Sequence, residues 1–201
     1  YQAGDGITTG GSNTGLGNGV TFDVDADNQT AIGNGATTDS ANDIAIGNTS
    51  VDEVKGQVDF TTFSDRRIKR NIKDSDLGLN FVLKLKPRKF NKVNPAKYPK
   101  SIKKPNDGIS GEWTDAQANK VWDGLIAQEV KEAIDECDTT YSGWTEESNS
   151  KQAITYSTLV MPLIKSVQEL SEENKQLKDK LNDLEIFIMD KLGDNKWEHT
   201  T

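Results

Sequence analysis

Ser64 and Lys69 stand five residues apart in the stretch DFTTFSDRRIKRNIKD, residues 59–74, and they are the residue types of a serine–lysine dyad. A lysine amine acts as a general base when burial or nearby positive charge favours its neutral form, and it can then take the proton of a serine hydroxyl. Arg66, Arg67 and Arg70 supply positive charge around Lys69 in sequence. The spacing alone is weak, because a serine ahead of a charged run usually caps a helix. Other chemistries have few residues to work with. His199 is the only histidine and sits in the terminal tail; Cys137 is the only cysteine and reads as a half-buried free thiol. Histidine catalysis, a Cys/His metal centre and an intrachain disulfide are all poorly supported, and no metal or cofactor is expected.

The chain around this pair changes character. Of 201 residues only 33% are hydrophobic, little for a self-sufficient globule of this length, so a small repeated unit or self-association is expected to supply the missing burial. Residues 1–63 carry nine acids and one base, 64–104 three acids and fourteen bases, and 105–201 twenty acids and nine bases. The basic block has few interleaved aromatics and no nucleic-acid reader motif, so it is expected to dock on acidic parts of its own chain or of partner copies, and nucleic acid is an unlikely partner. No apolar run approaches the length of a membrane span. A chain that opens on Tyr1 without a leading Met or signal pattern reads as a piece of a longer protein.

Upstream of the pair the sequence repeats itself. LGNG at 16–19, AIGNGA at 31–36 and AIGNTS at 45–50 place a Leu/Ile-Gly-Asn unit at spacings of 16 and 14 residues. One branched residue per unit is expected to fill a narrow core, with Gly and Asn taking the turns that need positive φ. Such a unit cannot bury its hydrophobic face alone. Residues 1–63 are therefore read as a β-rich roll or solenoid. These units resemble the head repeats of trimeric autotransporter adhesins and of some phage fibres, which implies three chains side by side.

Downstream, residues 64–155 read as a small α+β domain. A helix is predicted over Leu77–Leu85, stopped by Pro87, followed by a strand in RKFNKV with Phe90 and Val93 among its apolar positions. NPAKYPKSIKKPNDGISG, residues 94–111, reads as an exposed loop. VWDGLIAQEVKEAIDE reads as a strand entering a helix, with Ile126, Val130 and Ile134 on one face.

Residues 156–192 form the coiled-coil segment, before a tail at 193–201. The heptad a positions are Val160, Val167, Asn174, Leu181 and Ile188; the d positions are Leu163, Leu170, Leu177, Leu184 and Lys191. Flanking Glu173 faces Lys178 of a neighbour, and Lys180 faces Glu185, when the helices run parallel. Asn174 in the seam fixes register and by itself leans towards a dimer, so the heptads leave copy number open and three comes from the repeats.

SDRRIKRNIKD, LKLKPRKF, GLIAQEVKEAI and ITYSTLVMPLIKSVQELSEEN follow one another in that order. Together they resemble the peptidase S74 family, the intramolecular chaperone domain of phage tail spikes, tail fibres and neck appendages, over about 64–192. The resemblance implies a domain that trimerises, guides folding of the β-rich fibre upstream, and then cuts itself off in the host cytoplasm. The nucleophile of that family falls here on Ser64 and its base on Lys69. Ser64 Oγ can reach the carbonyl of Phe63 through a five-membered ring, giving an N→O acyl shift and an ester that water opens; its own carbonyl would need a strained four-membered ring. Cutting between Phe63 and Ser64 is favoured on this ground, and a cut between Ser64 and Asp65 stays open. The oxyanion needs a donor, for which backbone N–H groups near Ser64 and the side chains of Asn71 and Gln128 are candidates. Glu129 either orients Lys69 or is a solvated helix carboxylate.

The expected partners are copies of the chain itself, the upstream fibre, and a host surface receptor for the mature virion fibre. No membrane is expected. A second reading keeps the same fold as a permanent structural or adhesive tip that never cuts. A third is a membrane-bound transcription factor precursor, since this domain also occurs in such proteins; the Gly/Asn repeats favour a fibre.

Overall fold

The computed structural model describes residue 4 and residues 7–104, 106–107, 111–147 and 149–194. His199, most of the 193–201 tail and positions 108–110 of the lysine-rich loop lie outside the described residues. In chain order come β1 (Thr14–Leu16), β2 (Thr30–Ile32), β3 (Ile44–Ile46), a 3₁₀ turn at Arg66–Ile68, α1 (Leu79–Lys84), β4 (Arg88–Asn91) and a 3₁₀ turn at Pro95–Lys97. They are followed by α2 (Asp115–Ala118), β5 (Val121–Gly124), α3 (Ala127–Glu136), β6 (Trp144–Glu146), β7 (Gln152–Ile154), a 3₁₀ turn at Tyr156–Leu159 and α4 (Val160–Asp194). This is a mixed α/β chain with a long C-terminal helix, as expected. Two compact units divide it, and they interleave the sequence zones. One comprises Tyr1–Ile68, Lys89–Gly124 and Ser148–Lys151; the other comprises Lys69–Arg88, Leu125–Glu147 and Gln152–Thr201.

In the first unit the repeats stack as parallel rungs in the order β1-β2-β3. The register aligns Gly15 with Ala31 and Ala45, and Leu16 with Ile32 and Ile46. Neighbouring residues of a strand point to opposite faces, so small and branched residues form two separate columns. The inner column is the small one. Ala31 and Ala36 are fully buried together with Val20, and Phe22 packs against them. The branched residues face outward instead of filling a core: Leu16 is 67% exposed, Ile32 39% and Ile46 52%. The interior is already taken by Val20 and Phe22, which pack around Ala31 and Ala36, and the rungs themselves lie close. At Gly17, where φ is +143°, a Cβ would collide with the carbonyl oxygen of Gly33. The N–H of Gly33 donates to the Leu16 carbonyl and that of Gly47 to the Ile32 carbonyl, both at 2.7 Å. The left-handed turns fall on glycines and on Ser12, Asn28 and Asn42, and not on the asparagines of the Gly-Asn pairs. Gln29, wholly buried, satisfies its amide locally by accepting from the Asp23 N–H and donating to the Asp23 and Ala26 carbonyls. A buried amide so satisfied avoids the penalty of an unpaired polar group.

The 89–124 segment of this unit pairs β4 with β5. Asn91 donates to the Lys120 carbonyl at 3.0 Å, and Lys89 meets Asp123 at 2.6 Å. Lys92 and Lys120 lie 3.8 and 4.2 Å from the centroid of the Trp122 ring. Val93 falls beyond the end of β4 and is exposed, so it is not one of the strand's packed positions.

The second unit has a conventional core. Phe81 of α1 and Val130, Ala133 and Ile134 of α3 are buried with Tyr141, and the Phe81 and Tyr141 rings lie 5.5 Å apart. The four-residue spacing of Val130 and Ile134 is the periodicity that predicted the α3 face. Along the outside of this core Lys84, Lys86 and Arg88 pair with Glu136, Glu132 and Glu129 at 2.7, 3.4 and 2.5 Å. Alternate residues from the end of α1 to the start of β4 here meet carboxylates three and four apart on α3. The start of α1 has no side-chain cap of its own, because Gly78 stands at its N-cap. Glu169 of α4 takes that place across the fold, accepting from the Leu79 N–H at 2.6 Å. A carboxylate at a helix N-terminus satisfies an orphan donor and complements the helix dipole. Any Cβ at position 78 would collide with that carboxylate.

Along α4 the heptad residues Val160, Leu163, Val167, Leu170, Leu177, Leu181, Leu184 and Ile188 are between 42% and 66% exposed. Among the described residues, no helix is long and apolar enough to cross a membrane.

Candidate functional site

Every residue from Val51 to Asp76 is exposed. Within this stretch Val54, Val58, Phe60, Phe63, Ile68 and Ile72 present apolar side chains to solvent, Phe63 at 89% exposure. The regular structure in it is the single turn at Arg66–Ile68.

Asp65 makes that turn. Its Oδ1 accepts from the Arg67 N–H at 2.8 Å, and its carbonyl accepts from the Ile68 N–H at 3.2 Å. The Arg67 side chain folds back on the same carboxylate, Nε at 3.0 and 3.2 Å from the two oxygens and a terminal guanidinium nitrogen at 2.7 Å. The Arg67 guanidinium, and then its backbone N–H, hold the Asp65 carboxyl below the usual carboxylate range. The capping carboxylate is thus the residue after Ser64. Ser64 immediately precedes the turn and Lys69 immediately follows it, both exposed. The boundary between the compact units falls between Ile68 and Lys69, so Ser64 belongs to the first and Lys69 to the second.

The supporting candidates lie on two elements of the second unit. Asn71 is exposed and adopts a left-handed backbone with φ +53°. Gln128 and Glu129 occupy the first turn of α3, Gln128 exposed and Glu129 partly buried. Arg88 holds both oxygens of Glu129, Nε on Oε2 at 3.0 Å and a terminal nitrogen on Oε1 at 2.5 Å. Such a fork matches guanidinium to carboxylate in one plane. It pulls the Glu129 carboxyl below its ordinary range, chiefly through the Arg88 hydrogen bonds. Nothing in the local sequence signals this partner, which lies 41 residues upstream.

The arrangement supplies a hydroxyl and an amine at the two ends of a one-turn segment, both on exposed residues. A neutral amine base is favoured by a low-dielectric surrounding, and residues 51–76 are exposed in the single chain. Among the described residues, no group of three or more His, Cys, Asp or Glu is placed to hold a metal ion. Residues 64–139 match the Peptidase S74 family model, described as chaperone of endosialidase. No curated protein matches the chain.

Proposed function

We propose, from the premise that residues 64–139 form a chaperone of endosialidase domain, that this chain is the self-cleaving intramolecular chaperone of a phage tail fibre or spike. The observation that carries the reading is where the match starts: at Ser64, in the middle of an exposed stretch that separates the stacked rungs from α1. A cut there severs the repeat from the domain without breaking an element of either.

In the proposed reaction Lys69 Nζ, neutral, takes the proton from Ser64 Oγ as that oxygen attacks the Phe63 carbonyl carbon. The C–N bond of the Phe63–Ser64 peptide breaks, the proton passes to the departing Ser64 amine, and residues 1–63 become an ester of the Ser64 hydroxyl. Water then opens the ester, leaving a carboxylate at Phe63, a free amine at Ser64 and the hydroxyl restored. The oxyanion formed during attack is met by backbone N–H groups near Ser64 or by Asn71 or Gln128. Glu129, fixed by Arg88, acts on Lys69 only as part of that pair's field.

The enclosure this chemistry needs comes from neighbouring copies in a parallel homotrimer. Two exposed apolar surfaces support self-association: the Leu16–Ile32–Ile46 column and the heptad stripe of α4. The released repeat stays in the virion fibre, where it meets a host receptor.

A denaturing gel tests the reading. The wild-type chain is expected to give pieces of residues 1–63 and 64–201, while Ser64→Ala, Lys69→Ala and Lys69→Arg each stay whole. Arginine keeps the charge but cannot give up its proton, so it separates a base from an ion-pair partner. A folded Lys69→Arg protein that still releases 1–63 removes Lys69 from the mechanism, and an uncut wild type favours the permanent tip.

A further inference from the structure

Asn106 belongs to the chaperone segment, yet its side-chain amide is spent on the repeat. Its Nδ2 donates to the Gly19 carbonyl at 3.0 Å and to the Gly35 carbonyl at 3.2 Å. The same nitrogen lies 3.2 Å from Thr21 Oγ1 and 3.1 Å from Thr37 Oγ1. These four acceptors are two pairs, each one rung apart by 16 residues, and the two threonine hydroxyls are themselves 2.9 Å from each other. One –NH₂ group thus spans equivalent positions on two successive rungs. A slip of one rung against the other by a single residue would move one carbonyl and one hydroxyl out of reach together.

The residues around Asn106 hold it in place. Asp107 is buried, its Oδ2 accepts from the Lys104 N–H at 2.8 Å, and its own N–H donates to the Lys104 carbonyl at 3.1 Å. Lys104 pairs with Asp39 at 2.5 Å, two residues beyond Thr37, with both side chains largely shielded. The third rung lacks the matching groups: Thr49 stands where the first two have Gly19 and Gly35, and Val51 where they have Thr21 and Thr37. There the contact gives way to a cavity of about 180 Å³ lined by Gly47, Asn48 and Thr49 together with Lys104 and Asn106.

We infer that Asn106 is the residue by which the chaperone segment recognises its client, docking on two rungs only when their carbonyls and hydroxyls are stacked in register. The inference rests on the chaperone reading above and names the surface through which it works. The recognition is by donation: an amide offers two hydrogens to a face that presents two carbonyl oxygens beside two hydroxyls, and an isosteric carboxylate offers none to those carbonyls.

The test refolds the full-length chain from denaturant at one fixed concentration and measures, by mass spectrometry, the repeat that survives a pulse of a broad-specificity protease. Asn106→Asp is expected to lower the surviving repeat at least threefold and Asn106→Ala by less, the order that recognition by donation requires. Phe81→Ala, which damages the core of the second unit, is the control for the chaperone reading itself. If Phe81→Ala lowers the yield while Asn106→Asp matches wild type, the inference fails and the chaperone reading stands. If neither variant changes the yield, the chaperone reading fails and takes the inference with it. Equal losses from Asn106→Asp and Asn106→Ala would assign the contact to packing alone and overturn recognition.

Discussion

The stacked rungs and the α1–α3 core bury opposite kinds of residue. In the rungs the interior holds Val20, two alanines and a glutamine while Leu16, Ile32 and Ile46 look outward. Around α1 and α3 the interior holds Phe81, Val130, Ile134 and Tyr141. A buried aromatic contributes several times what a buried alanine does, since the gain follows apolar area removed from water. The second unit therefore has the means to hold itself together as one chain. The repeat leaves Leu16, Ile32 and Ile46 exposed in the single chain, and α4 does the same with its heptad stripe.

The largest expected effect comes from breaking the self-sufficient side. Phe81→Ala removes the most deeply buried aromatic and is expected to destabilise the second unit by about 3–5 kcal/mol. Denaturant unfolding followed by near-UV signal measures it, and a loss below about 1 kcal/mol would mean that this core is not what holds the unit.

A second substitution sharpens the other side. Leu177 lies on the exposed stripe, so Leu177→Ala is expected to leave the unfolding of a single chain unchanged. Self-association should weaken by roughly 1.5–3 kcal/mol for each leucine withdrawn from an interface. Sedimentation across a concentration series distinguishes the two, and unchanged association would show that the stripe packs against nothing.

The smallest effect is expected in acid. Arg88 holds Glu129, and Lys84 holds Glu136, below the ordinary carboxylate range. Groups depressed on folding stabilise fully above their unfolded pKa, about 4.3 for glutamate, and lose that contribution as pH falls through the folded value. Both pairs meet solvent, so screening keeps the change small. The melting temperature of the second unit should fall below that pH more steeply in wild type than in a Glu129→Gln, Glu136→Gln chain. Identical pH profiles would show that the pairs contribute nothing.

What could be read from the sequence followed from local period. The helix expected over Leu77–Leu85 occupies Leu79–Lys84, and the face through Val130 and Ile134 is buried as its spacing required. The rungs were legible as a repeat but not in their facing. Counting one branched residue per unit says nothing about which column is inside; that depends on what else fills the interior, and Val20 and Phe22 occupy it beside Ala31 and Ala36. The candidate site was legible as a boundary in charge and composition. Its surroundings were not, because they join residues far apart: Arg88 to Glu129 over 41 residues, Leu79 to Glu169 over 90, and Asn106 to Gly19 over 87. Asp65 was the nearer omission, since a carboxylate two residues before an N–H is itself a capping signal.

The column of Gly17, Gly33 and Gly47 divides the repeat into parts with different freedom to vary. Gly17 and Gly33 each face the backbone of the next glycine, and a Cβ at Gly47 would collide with the Val51 side chain. Between columns the chain passes through turns of unequal length, 16 residues in one interval and 14 in the next, and the register of the rungs survives the difference. Insertions and deletions are therefore absorbed in the turns. Duplicating a whole interval would add a rung and lengthen the repeat while every existing glycine kept its neighbour, so a lineage carrying this architecture can change the length of its repeat by recombination within the gene without having to solve the fold again.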